Sequence, residues 1–73
     1  MLKIDRITSD PNVMSGEACI RGMRITVSIV LNLLATGLNK EQIIDLFPCL
    51  ESEDIDQCLN YAAYVAEEQL FTI

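Results

Sequence analysis

The 73-residue sequence contains no histidine. The side chain most often used as a general base near neutral pH, and as a metal ligand, is therefore missing. Cysteine is sparse: Cys19, Cys49 and Cys58 form an odd set with no close pair, which fits neither a disulfide framework nor a zinc-ligand spacing. All three stand among apolar neighbours and read as small buried hydrophobes. The three glycines, Gly16, Gly22 and Gly37, are scattered, so there is no glycine-rich phosphate loop. Glu53 and Asp56 stand close together, but no glycine-bearing calcium loop surrounds them. Long apolar runs are missing too. The longest, Val27 to Ala35, is broken by Ser28 and Asn32 and is too short to span a bilayer. Residues 1–10 alternate charge and apolarity and lack the apolar block of a signal peptide. These absences give the expectation of a cytoplasmic, non-enzymatic chain that needs no cofactor or metal and does not enter the membrane.

Positive charge is missing from the second half. Residues 1–40 carry all five cations, Lys3, Arg6, Arg21, Arg24 and Lys40, against three acids, for a local +2. Residues 41–73 carry eight acids and no cation, for −8, and the whole chain is at −6. An acidic second half repels phosphate and so weighs against nucleic acid there.

The composition is 51% hydrophobic and 22% charged, as in a folded globule. The length fits a single domain, 1–73, comprising a β-containing segment over 1–26 and a three-helix unit over 27–70. Leu2, Ile4 and Ile7 suggest extended chain, and Asp10-Pro11-Asn12 a turn. Gly22 suits the first central position of a type II′ turn. In that hairpin Arg21 and Arg24 face each other across the strands, while Ile20 and Ile25 pair toward the core.

Three helices are expected. Thr26 caps the first, over 27–36, and Gly37 stops it. Its apolar arc spans roughly 200°, wider than one neighbour covers. Ile29 and Leu33 at its edge therefore mark a homodimer interface, with the N-terminal segment as the competing cover. Asn39 with Gln42 reads as a capping box, and Leu38 with Ile43 as a staple, for a second helix over 40–47 whose apolar face is Ile43, Ile44, Leu46 and Phe47. Pro48 ends it. The third helix, over 52–69, starts with Glu53 and Asp54 at the positive end of its dipole. Its apolar stripe reads Ile55, Cys58, Leu59, Ala62, Val65, Ala66 and Leu70, with Tyr61 at the border and Tyr64 turned away.

The pattern Asp10-Pro11, Val13, Gly16, Ile20-Arg21-Gly22, Arg24-Ile25, Val27, Gly37, Ile43, Pro48, Leu50, Asp54-Ile55, Leu59 and Tyr61-Ala62 resembles the small bacterial domain-of-unknown-function family numbered 433. The resemblance covers about residues 4 to 66. Ala18, Met23, Thr26 and Glu51 depart from the pattern at turns and caps, not in the core. The resemblance implies a mainly α fold: a three-helix, homeodomain-like helix-turn-helix bundle behind a short N-terminal β-hairpin. It also implies an antitoxin-like protein encoded beside a PIN-like nuclease toxin.

Two functions follow. In the first, the chain is the inhibitory protein partner of such a toxin. The arginine pair Arg21 and Arg24 then plugs a carboxylate-lined site, with Tyr61 and Tyr64 as anchors. The competing role for the arginines is a local ion pair with Glu17, Asp10 or the acidic half. In the second, the chain is a helix-turn-helix DNA-binding transcriptional regulator. The third helix, entering as Glu51-Ser52-Glu53-Asp54, is poor for phosphate, so binding is expected to be weak and to rest on Lys3, Arg6, Arg21 and Arg24.

Overall fold

The computed structural model of the chain describes the backbone of residues 4–71 and the side chains of residues 4–67. The order is strand β1 (Ile7–Thr8), strand β2 (Cys19–Ile20) and helices α1 (Val27–Ala35), α2 (Lys40–Leu46) and α3 (Ser52–Phe71). The protein is mainly α-helical with a small N-terminal antiparallel sheet, in which Ile7 pairs with Ile20 and Thr8 with Cys19. Between the strands, the amide of Val13 donates to the carbonyl of Asp10, and that of Asn12 to the Asp10 carboxylate. This is the turn expected of Asp-Pro-Asn. Of the extended residues expected at the start, Leu2 lies outside the described residues.

β2 also turns back on the chain that follows it. Cys19 bridges Thr26, and the Ile20 amide donates to the carbonyl of Ile25. Ile20 is fully buried, and Ile25 packs against the core. The turn between them differs from the expected type II′. The Met23 amide donates to the Ile20 carbonyl, so Arg21 and Gly22 are the two central residues. Both have positive φ, 48° and 71°, as in a type I′ turn. Arg21 therefore lies in the turn itself and is not a ladder partner of Arg24.

The helix ends follow local chemistry. Thr26 Oγ1 accepts from the amide of Ile29 and caps α1. At the other end Gly37 takes φ 102°. Its amide donates to the Leu34 carbonyl, and the Leu38 amide to Leu33, the two bonds of a Schellman ending. The Asn39–Gln42 capping box of α2 is complete in both directions.

The core is Ile20, Val27, Val30, Ile43, Leu50, Ile55 and Cys58, with Ile7, Leu33, Leu38, Phe47 and Tyr61 among the partly buried residues around it. Four expectations need correction. Leu46, assigned to the apolar face of α2, is 57% exposed; Leu59, assigned to the stripe of α3, is 45% exposed, and Ala66 of the same stripe is exposed too. Cys49 is exposed, in the turn after Pro48, whereas Cys19 and Cys58 are buried as expected. The displacement of Leu59 has a physical cause. α3 buries the polar Asp54 and Gln57 beside Ile55 and Cys58. At 100° per residue this turns the buried arc about 60° away from the centre of the apolar stripe.

Candidate functional site

Asp54 lies three residues beyond Glu51, the last residue before α3, and its side chain has no solvent exposure. A buried carboxylate is costly unless it is paired and hydrogen-bonded. Arg21 grips it in two places: Nε donates to Oδ1 at 3.0 Å and Nη2 to Oδ2 at 2.8 Å. Arg6 Nη1 donates to Oδ1 at 3.0 Å, and the Glu51 amide donates to Oδ2 at 2.8 Å. The last bond is half of a capping box, supplied from the third helical position. Arg21 also donates from Nη2 to the carbonyl of Cys49 at 2.8 Å. Arg6 in turn reaches Glu51 and Glu53, both at 2.5 Å.

The electrostatics follow. Burial pushes the Asp54 carboxyl up, but hydrogen bonds from Arg21, the Glu51 amide and Arg6 outweigh it and bring it down to about 2. Hydrogen bonding to Glu51, then to Asp54, raises Arg6 further above its ordinary value, and Asp54 does the same for Arg21. Both guanidiniums therefore stay charged. Burial pushes the Cys58 thiol up to about 11, which leaves it an unreactive core residue.

Gln57, one turn further along α3, completes the junction. Its Oε1 accepts from the Arg6 amide at 2.7 Å, and its Nε2 donates to the Asp5 carboxylate at 2.6 Å. Asp54 and Gln57 thus join three parts of the chain: the residues before β1, the turn after β2 and the start of α3. Neither was singled out from sequence as a junction. Both look like ordinary polar residues at the start of an acidic helix, and apart from the Glu51 amide their partners lie 33 to 52 residues away.

The site residues expected from sequence fall into three groups. Arg6 and Arg21 are held against Asp54. Lys3 lies outside the described residues. Arg24 is exposed, and among the described residues its side chain meets no ion-pair or hydrogen-bond partner. Arg21 and Arg24 are therefore not placed as a matched pair, and Arg21 forms an ion pair with the acidic half. Lys40 is paired with Asp56. Tyr61 packs against the core, while Tyr64 is 44% exposed. Leu33 also packs against the core, and Ile29 is 38% exposed, so the chain itself covers part of the face assigned to a second subunit. Among the described residues, no group of three His, Cys, Asp or Glu side chains is placed to hold a metal ion, and no helix is long and apolar enough to cross a membrane.

The sheet, Arg21 with the carboxylate it grips, the first two helices and the first half of α3 fall within one matched stretch. The family profile described as "Protein of unknown function (DUF433)" matches residues 7–62, and the chain belongs to that family. It is 32% identical over 56 residues to the "Uncharacterized protein y4eO" of Sinorhizobium fredii (strain NBRC 101917 / NGR234). The match covers 77% of this chain and 25% of that protein. This chain thus spans about a quarter of the length of the curated relative it matches. No solved structure matches it.

Proposed function

We propose that the chain is a non-enzymatic, cytoplasmic binding domain that docks on another protein, as the antitoxin-like inhibitory partner of a PIN-like nuclease. One observation carries the choice of protein over DNA: three of the four cations among the described residues are already engaged in ion pairs within the chain. Arg6 and Arg21 are bound to Asp54, and Lys40 to Asp56. DNA affinity is built largely from Lys and Arg contacts to phosphates. Arg24 is the cation left with an unengaged side chain among the described residues, and the start of α3 presents Glu51 and Glu53. A helix-turn-helix reading of DNA through α3 has no supporting charge there.

The nuclease as partner comes from the family resemblance and fits the chemistry of Arg24. A metal-binding nuclease centre is rich in carboxylates, and a guanidinium is a good carboxylate ligand. Arg24 follows a turn that Arg21 fastens to α3, so ordering it costs little on binding. Tyr64, 44% exposed, is the aromatic that the sequence offers as an anchor. The test is to titrate the purified chain, at physiological salt, with the nuclease-like protein encoded beside it and with duplex DNA. The proposal requires saturable binding of the protein and none of comparable strength to DNA. Tight DNA binding without protein binding would replace it with the regulator.

A further inference from the structure

α3 carries more apolar surface than the fold buries. Leu59 is 45% exposed, and Ala63 and Ala66 are exposed as well. Spaced i, i+4 and i+7, they lie within about 60° of one another on the helix, a continuous outward stripe. Glu67, exposed, borders it, and the Lys40–Asp56 ion pair flanks it one turn earlier. Seven acids lie between residues 41 and 67, and three cations, Arg6, Arg21 and Lys40, are bound to members of that set. Four negative charges are therefore left around α2 and α3.

We infer that this outer face of α3 is the docking surface for a cationic amphipathic helix of a partner protein. Leu59 is the knob. The two alanines keep the helix surface low, so a partner helix can approach closely. The surrounding acids select a partner whose apolar face is flanked by lysine or arginine, and steer its approach. A second copy of the chain is a poor occupant, because its α3 would set Glu67 against the same net negative charge, and Lys40, the cation at α3, is already bound to Asp56. The inference rests on the reading that the chain docks on protein, and not on the partner being a nuclease. It does not involve Arg24 or the turn that precedes it.

The test titrates the full chain, labelled for amide NMR, with a synthetic leucine–lysine amphipathic helix of about five turns, about 18 residues. A peptide of the same composition with its leucines scattered is the control. Amide shifts centred on residues 59, 63, 66 and 67 are expected, with the scattered peptide at least about tenfold weaker. Leu59→Gln and Ala63→Gln should each weaken binding by a similar factor at an unchanged melting temperature. If Leu59→Gln fails to fold, Ala63→Gln decides. Equal binding by the scattered peptide, undiminished binding by the folded variants, or shifts centred on residues 21–24 would overturn the inference. So would self-association that Leu59→Gln abolishes, which would make the occupant a second copy. Peptide binding on α3 with no binding of the neighbour-encoded nuclease would sink the nuclease reading alone. Nuclease binding that depends on Arg24 and ignores both Leu59 and the peptide would sink this inference alone.

Discussion

Asp54 accepts four hydrogen bonds with no solvent to help it, two from Arg21, one from Arg6 and one from the Glu51 amide. Its carboxyl titrates at about 2 in the fold against 3.8 in an unstructured chain. The folded value is the lower one, so its contribution to stability is present above pH 3.8 and is lost as the pH falls toward 2. That difference corresponds to about 2 kcal/mol of acid-sensitive stability. Urea unfolding followed between pH 5 and pH 2 should show this loss. Asp54→Asn should remove most of that pH dependence and lower stability at neutral pH by about 3 kcal/mol, the low end for a broken buried pair, because both arginines keep an edge in water. A pH profile of Asp54→Asn parallel to that of the parent would show that Asp54 is not the titrating group. This residue was only half legible in the sequence. Its place at the start of a helix was readable. Its burial was not, since Glu53 beside it has the same local credentials and lies half in solvent.

Where an element's shape depends on its own neighbours, the sequence announced it. The Thr26 cap, the Asn39–Gln42 box and the Gly37 ending are all contacts within a few residues. Gly37 has open space for a β-carbon but a φ of 102°, so Gly37→Ala should cost about 1–2 kcal/mol from backbone strain alone. Denaturant midpoints of the two proteins measure this, and an unchanged midpoint would mean that the α1–α2 connection rearranges freely. The rotation of α3 was not legible, because it depends on distant polar partners. Gln57 turns inward to hold the Arg6 amide and Asp5, and Leu59 is turned outward in exchange. Gln57→Leu should leave the Arg6 amide without its acceptor, at a cost of about 1–3 kcal/mol. Hydrogen exchange should then quicken at the amides of Arg6 and of Arg21, which donates to the Arg6 carbonyl, sooner than in α1. Uniform quickening across all elements would deny the local role. The hairpin turn was misread for a related reason. Gly22 was correctly marked as a turn residue, but the left-handed Arg21 beside it is held by a carboxylate 33 residues away.

At the scale of the molecule, charge separation in the sequence becomes internal pairing in the fold. The basic first half and the acidic second half meet at Asp54, Glu51, Glu53 and Asp56. This meeting assigns different work to two arginines that look alike in the sequence. Arg21 holds the turn to α3, whereas Arg24 stands exposed beyond it. The most direct test measures melting temperature, and affinity for the proposed nuclease-like partner, on Arg21→Ala and Arg24→Ala. Arg21→Ala should lower the melting temperature. Arg24→Ala should leave it unchanged and weaken binding by about 2 kcal/mol or more, the lower range for truncating one side of a buried charge pair. Full affinity in a stably folded Arg24→Ala protein would contradict the account.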